Sequence, residues 1–261
     1  MSRRNSCLRV AFCVVATFAV CLKSPSLRAE EPAKLKALLI LGGCCHEYDK
    51  QKDVLKTGLE AKIKQLTVDI VYNKDSSVKA RFECYENPDW AKGYDVVIHD
   101  ECSSDVKDMP YVDNILNAHK GGVAAVNLHC AMHSYRIDSD EWFKFVGIQS
   151  ARHGPQEPIE IIFDRDHPIA KKLENWTTIN EELYNNLKVF KTARPFAQGK
   201  QVKDDKDFVV AWTNQFEKGR VFSTTLGHNT ATVADDRYLE LVTRGLLWAC
   251  DKPEATYLVK P

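Results

Sequence analysis

The stretch Gly121-Gly-Val-Ala-Ala-Val-Asn-Leu-His-Cys-Ala-Met-His133 decides the fold of this chain. Its apolar run, residues 123–126, follows a Gly-Gly turn and has the length and β-branched content of a buried strand. The run leads to a group of reactive side chains that begins at His129. In open α/β sheets, ligands bind at the carboxyl ends of the strands. The stretch therefore predicts a strand that carries His129 into a cleft.

Other segments of the chain extend this strand into a sheet. Three apolar, strand-like segments precede it: residues 36–41, 68–72 and 94–98. Helical segments are predicted at residues 52–66, 106–120 and 236–250, and the order of strands and helices is typical of βαβ units. Residues 208–212 and 220–225 flank a turn and predict an antiparallel pair. We therefore predict an α/β fold, with a mostly parallel central sheet, helices on both faces and a small antiparallel extension.

The first 29 residues have the features of a signal peptide. A basic start precedes an apolar run from Val10 to Leu22, and Leu27-Arg-Ala29 resembles a signal-peptidase site. The run is too short to predict a transmembrane helix, although a retained or lipidated anchor is the alternative. The sequence predicts an exported protein, periplasmic or extracellular, without stable insertion in the membrane. Residues 30–261 are then predicted to form a single domain.

Charge and cysteine content restrict the partners and the chemistry. The chain has 36 basic and 36 acidic residues; five of the basic ones and none of the acidic ones lie in residues 1–29. Cleavage would leave 31 against 36, a net charge of −5, and with no basic patch among aromatic residues we expect no nucleic-acid partner. Six cysteines would remain: Cys44, Cys45, Cys84, Cys102, Cys130 and Cys250. An exported protein can form disulfides. We expect most of these residues to be buried thiols, with any pairing left open.

Several motifs along the chain carry a family resemblance. They are Leu41-Gly-Gly-Cys-Cys-His46-Glu-Tyr48, Gly121 to His129, Asp166-His-Pro-Ile169, Glu181-Glu-Leu-Tyr184, Val210-Ala-Trp212 and Lys218-Gly-Arg-Val-Phe-Ser-Thr-Thr-Leu-Gly-His228. Together they resemble the trehalose-utilisation (ThuA-like) family from about residue 35 to 250. The resemblance implies a flavodoxin-like sheet, a relationship to class I glutamine amidotransferases and a role in sugar metabolism.

The amidotransferase relationship raises the question of a cysteine nucleophile. Those enzymes use a cysteine on a tight strand-to-helix elbow, activated by a histidine and a glutamate. If their Gly-x-Cys elbow corresponds to Asn127-Leu-His129, a histidine occupies the position of the nucleophile and Cys130 lies one residue beyond it. Two residues after His228, Thr230 replaces the glutamate. We therefore expect no glutamine hydrolysis through a thiol.

Histidines at the ends of predicted strands are the candidate catalytic residues. His46, His129 and His228 each follow a strand, so they would share one edge of a parallel sheet. Histidine is the natural acid and base near neutral pH. We predict that His129 and His228 act as acid and base and that His46 orients or binds. The alternative is that each histidine only hydrogen-bonds a backbone carbonyl group.

A further set of residues is predicted to bind the substrate. Glu182 would face the cleft and orient a histidine or bind sugar hydroxyl groups, and His133 and His153 are further candidates for substrate binding. Tyr48 and Trp212 could supply flat apolar surfaces on which sugars stack. The alternative for Trp212 is a place in the core, and for Glu182 a solvated helix start in the loop-like region of residues 181–184.

No cofactor is predicted, although a divalent metal is possible. His129 and His133 have the spacing of an H-E-x-x-H site, but Cys130 stands where that motif has glutamate. A zinc protease is therefore disfavoured. A looser site could use His129, His133, His153 and Glu182.

The combined interpretation is an exported ThuA-like protein that acts on a small carbohydrate. In this interpretation the reaction uses histidine acid–base chemistry without a cysteine nucleophile. Two alternatives stay open: a non-catalytic carbohydrate-binding module, and a metal-dependent hydrolase with a histidine and glutamate site. A homo-oligomer is also possible.

Overall fold

One mixed sheet organises the part of the chain that the structure, a computed structural model, describes: residues 31–201 and 206–259. Its strands are β1 (Leu35–Gly43), β2 (Leu66–Asn73), β3 (Val96–Cys102), β4 (Ala124–Leu128), β5 (Ile148–Phe163), β6 (Trp176–Val189), β7 (Arg194–Gln201), β8 (Phe208–Phe216) and β9 (Gly219–Thr224). They form a nine-stranded sheet in the order β2-β1-β3-β4-β9-β8-β7-β5-β6. The predicted signal segment, residues 1–29, lies outside the described residues.

The sheet has a parallel half and an antiparallel half. Strands β2, β1, β3, β4 and β9 run parallel to their neighbours in that order, whereas β8, β7, β5 and β6 pair antiparallel. The predicted α/β fold with a parallel core is therefore confirmed. The predicted small size of the antiparallel extension is wrong, since it contributes four of the nine strands. Exposed polar residues fill much of β5 and β6, so these strands lack the apolar runs that indicate a buried strand.

Helices cover both faces of the sheet. They are α1 (Tyr48–Lys62), α2 (Met109–Lys120), α3 (Glu141–Val146), α4 (Thr230–Val233), α5 (Asp236–Ala249) and α6 (Glu254–Tyr257). Leu55 of α1 and Leu241 of α5 belong to the apolar core on one face, and Ile115 of α2 and Trp142 of α3 to the core on the other. None of the described helices is long and apolar enough to cross a membrane.

Local sequence signals explain where the elements begin and end. The side chain of Asp108 accepts a hydrogen bond from the amide of Tyr111 and so caps α2, with Pro110 in the first turn.

Residues 181–184, which were predicted to lie in a loop, are instead in the middle of β6. This difference matters because neighbouring residues on a strand point to opposite sides of the sheet.

Helix α5 and strand β9 meet at a glycine. An added Cβ on Gly245 of α5 would lie 2.4 Å from the ring of Phe222 of β9, which is fully buried. Because the ring is enclosed by the core, it has little room to move. Gly58 of α1 offers a matched site, where an added Cβ would meet only the flexible end of Leu239 at 2.7 Å.

We expect Gly245→Ala to lower the free energy of unfolding. Alanine favours a helix over glycine by about 1 kcal/mol, but overpacking a core costs about 1–3 kcal/mol. Urea unfolding followed by circular dichroism measures the net change. Gly58→Ala is the control, and it should be less destabilising because the Leu239 side chain can rotate away. A Gly245→Ala protein as stable as the wild type would contradict the tight packing of α5 on β9.

Candidate functional site

Four side chains converge at the carboxyl ends of the parallel strands. His46 follows β1, His129 follows β4, His228 follows β9, and Glu182 reaches the same point from β6. One nitrogen or oxygen atom of each residue lies within 4.8 Å of those of the other three. The rings of His46 and His129 are 4.7 Å apart, centroid to centroid, and those of His46 and His228 are 4.9 Å apart. We call these four residues the His–Glu cluster.

His129 occupies a strained elbow after β4. Its φ of +38° lies in the left-handed region, which non-glycine residues adopt at a cost of about 1–3 kcal/mol. Its Nδ1 lies 2.6 Å from the carbonyl oxygen of Thr225, so Nδ1–H donates to that oxygen and Nε2 faces the cluster. That Nε2 is 3.5 Å from Oε2 of Glu182 and 3.2 Å from the hydroxyl of Tyr184. The predicted histidine elbow is therefore a geometric feature of the fold.

His46 is oriented in a similar way. Its Nδ1 lies 3.1 Å from the carbonyl oxygen of Cys44 and 3.0 Å from the hydroxyl of Tyr48. Its Nε2 is buried and has no hydrogen-bond partner among the described residues. Burial, with the neighbouring His129 and His228, lowers the pKa of His46 to about 2. The imidazole is therefore neutral, and an unpaired buried nitrogen faces the cluster at a cost in free energy.

Glu182 supplies the negative charge of the cluster. Its Oε1 is 3.3 Å from Nδ1 of His228, and its Oε2 is 3.5 Å from Nε2 of His129 and 3.6 Å from Nε2 of His153. Burial raises the pKa of Glu182, but its contacts with His129 and His228 outweigh burial and hold that pKa well below its usual range. The same carboxylate raises the pKa of His228. The cluster thus contains an ionised carboxylate.

Glu181, the neighbour of Glu182 on β6, holds the loop that carries His228. Its Oε1 accepts the amide N–H of Asn229 at 2.9 Å, and its Oε2 accepts those of His228 at 3.0 Å and Gly227 at 3.3 Å. Glu181 is fully buried, so these charge-assisted hydrogen bonds form away from water. One glutamate anchors the backbone of the loop and the next one contacts its histidine side chain.

Gln156 is a contact of the cluster that the sequence did not reveal. Its amide nitrogen lies 2.9 Å from Nε2 of His228 and 3.2 Å from Oε1 of Glu182. Gln156 belongs to β5, where it pairs with Glu182 in register. No motif or periodicity marks it, because its role follows only from the pairing of two polar strands.

Two predicted binding histidines lie beside the cluster. The ring of His133 stacks on Tyr184 with centroids 4.0 Å apart, and its Nε2 contacts the hydroxyl of Ser150 at 3.0 Å. The structure therefore does not bring His133 into the His–Glu cluster, and the looser metal set predicted from the sequence keeps only His129 and Glu182 there. The side chain of His153 is 41% exposed. It lies at the solvent side of Glu182.

The two aromatic residues predicted to stack on a sugar, Trp212 and Tyr48, are both buried. Trp212 is fully buried and its indole N–H donates to the carbonyl oxygen of Val146 at 2.8 Å, so the prediction that a sugar stacks on it is wrong. An indole with both faces packed in the core cannot contact a ligand. Tyr48 is also buried, and its hydroxyl contacts His46. It positions a histidine and offers no open ring face.

Disulfides remove the nearest cysteines from nucleophilic chemistry. Cys130 is bonded to Cys102, and Cys44 to Cys45. The prediction that most of the six cysteines are buried thiols is therefore wrong, since four of them are paired. The free cysteines of the described chain are Cys84 and Cys250. A sulfur in a disulfide is not the thiolate that attack or metal binding requires.

The His–Glu cluster has the donor set of a transition-metal site. Imidazole nitrogen and carboxylate oxygen are ligands of zinc and of other first-row divalent ions. In metal sites the second nitrogen of a ligating histidine usually donates to a carbonyl group or a carboxylate, which fixes the ring. The contacts of Nδ1 in His46 and His129 have this form. Alternatively, an imidazole paired with a carboxylate can transfer a proton.

Comparisons with known proteins place the chain in a family. The family model described as trehalose utilisation (ThuA) matches residues 38–249. A ThuA-like protein from Parabacteroides merdae is 20% identical, with a TM-score of 0.66 over 88% of this chain and 98% of that one. A second, from Bacteroides uniformis, is 17% identical, with a TM-score of 0.65 over 87% and 95%.

The structure also resembles part of a larger protein, and at such low sequence identity the likeness shows the fold alone. The β-galactosidase from Rahnella sp. R3 is 12% identical, with a TM-score of 0.55 over 84% of this chain and 32% of that one. A search of curated proteins found no significant match. Because the family model covers most of the chain, the protein belongs to the ThuA family, which is described as trehalose utilisation.

Proposed function

We propose that this protein is an enzyme that acts on a small carbohydrate at a divalent-metal centre formed by His46, His129, Glu182 and His228. The observation that carries the proposal is the convergence of four ligand atoms within 4.8 Å of one another. One of them, Nε2 of His46, is buried and has no hydrogen-bond partner among the described residues. A cation at the centre of the cluster would give this nitrogen a partner.

A carbohydrate substrate is supported by the family description and by the polar rim of the site. A divalent ion would act as a Lewis acid toward an oxygen atom of the substrate. His153, exposed and 3.6 Å from Glu182, is placed to contact a hydroxyl group of a bound sugar. Gln156, which is exposed on β5, offers an amide on the same side.

Metal-free acid–base chemistry is the second candidate. The contacts of the Glu182 carboxylate with His129 and His228 favour it, because a carboxylate next to an imidazole is a common arrangement for general bases. In the metal proposal these two histidines are ligands, so they are not the free acid and base predicted from the sequence. Metal analysis separates the two candidates.

The proposal also includes a flavodoxin-like arrangement of the sheet and export of the protein. The order β2-β1-β3-β4-β9 of the parallel strands supports a flavodoxin-like arrangement. Export to the periplasm or the extracellular space is proposed from the signal-like residues 1–29.

One prediction of this proposal concerns metal content. Protein purified without a histidine tag should contain about one first-row divalent ion per chain by mass spectrometry. His46→Ala and Glu182→Ala should each lose most of this metal, because each removes one ligand. His153→Ala is the matched control and should keep it, since His153 is outside the four-residue set. Wild-type protein that lacks metal and binds no added zinc, manganese or iron in calorimetry would overturn the proposal.

A second prediction concerns Glu181 as a positioning residue. Glu181→Gln keeps the size of the side chain but removes the charge that three backbone amides share. The loop that carries His228 should then be held less firmly, and metal affinity should fall by about 10–100-fold. The dissociation constant, measured by competition with a chelator, is the readout.

The control for Glu181→Gln is Glu160→Gln on the exposed side of β5. It makes the same chemical change away from the cluster and should leave the dissociation constant unaltered. If Glu181→Gln bound metal as tightly as this control, the loop would not depend on Glu181. Glu181→Ala should also weaken metal binding, because alanine has no side-chain acceptor for the three backbone amides.

A further inference from the structure

We propose that Cys44, Cys45, Cys102 and Cys130 form a thiol–disulfide relay. The relay would carry reducing equivalents from a small external thiol to a buried disulfide next to His129. It uses none of the four residues of the His–Glu cluster and is independent of the proposed metal centre.

The two disulfides differ in their access to solvent and are in contact with each other. Cys44–Cys45 lies in the loop after β1, where Cys45 is exposed. Cys102–Cys130 joins the end of β3 to the segment after β4, and both of its cysteines are buried. The sulfur atoms of Cys44 and Cys102 are 3.4 Å apart. A thiol from solution can therefore reach the first disulfide directly and the second one only through it.

The register of the sheet fixes this sulfur contact. Strands β1 and β3 are parallel neighbours, and Gly43 pairs with Cys102 at their ends. The amide of Cys44 then donates to the carbonyl oxygen of Cys102 at 3.4 Å. Gly43 has a φ of +99°, and a Cβ on it would lie 2.2 Å from the same carbonyl oxygen. Glycine is required for this close approach, which brings Cys44 beside Cys102.

The relay consists of thiol–disulfide exchange steps. An external thiolate attacks Sγ of Cys45, forms a mixed disulfide and releases Cys44 as a thiolate. Cys44 attacks Sγ of Cys102, which forms a Cys44–Cys102 disulfide and releases Cys130. A second external thiolate attacks the external sulfur of the mixed disulfide and frees Cys45. Cys45 then attacks Sγ of Cys44 and releases Cys102.

The steps balance in atoms and electrons. Two external thiols become one external disulfide, and their two electrons reduce the Cys102–Cys130 bond. Their two protons end on Cys102 and Cys130. The Cys44–Cys45 disulfide is formed again, so the exposed pair acts as a catalyst for reduction of the buried one. The disulfide that is reduced therefore includes Cys130, the residue that follows His129 in the sequence.

Native-state reduction by glutathione tests the relay. The folded protein is incubated with reduced glutathione, quenched by unfolding it in N-ethylmaleimide and mapped by peptide mass spectrometry. In the wild type we expect Cys102 and Cys130 to be reduced while the protein is folded, and therefore to be labelled in the quench. In the double variant Cys44→Ser with Cys45→Ser, this labelling should slow by at least about tenfold, because direct access to the buried disulfide is blocked.

Two further variants complete the test. The double variant Cys84→Ser with Cys250→Ser is the matched control, since it also removes two cysteines, and it should be reduced at the wild-type rate. The double variant Cys45→Ser with Cys130→Ser leaves Cys44 and Cys102, which should form a disulfide under mild oxidation. The relay is refuted if the buried pair reacts equally fast without Cys44 and Cys45, or if Cys44 and Cys102 fail to cross-link.

Discussion

The contact of the Glu182 carboxylate with His129 and His228, which follow two different strands, is the interaction on which the site depends. The histidines belong to the parallel half of the sheet, where β1, β4 and β9 end at one edge. The carboxylate comes from β6, at the far end of the antiparallel half. Because Glu182 reaches His129 and His228 from β6, the site requires both halves of the sheet. The long antiparallel region is thus part of the site.

Strand alternation assigns different roles to two adjacent glutamates. Neighbouring residues on β6 point to opposite sides, so Glu181 and Glu182 cannot both face the cluster. Glu181 instead receives three backbone amides of the loop after β9, and this loop carries His228. The position of one residue of the His–Glu cluster is therefore set by the neighbour of another. A shift of β6 by one residue would exchange the two side chains and disrupt the site.

The parallel half and its histidines could be predicted from the sequence because apolar runs mark fully buried strands. His46, His129 and His228 follow such runs, and the rule that strand ends share an edge places them together. Glu182 could be suggested but not positioned from the sequence, since the polar composition of its strand is typical of a loop. Gln156 could not be found, because it depends on the pairing of β5 with β6. Trp212 was misplaced because periodicity does not distinguish an aromatic residue in a core from one at a surface.

The strained elbow after β4 determines which side chain reaches the His–Glu cluster. The φ of +38° at His129 is retained because the pairing of β4 with β9 and the hydrogen bond to Thr225 hold the residue in place. This geometry presents whichever side chain occupies the elbow, and here it presents an imidazole nitrogen. The adjacent Cys130 turns toward β3 and bonds Cys102. The elbow thus places an imidazole in the His–Glu cluster, and the sulfur of the next residue is held in a disulfide.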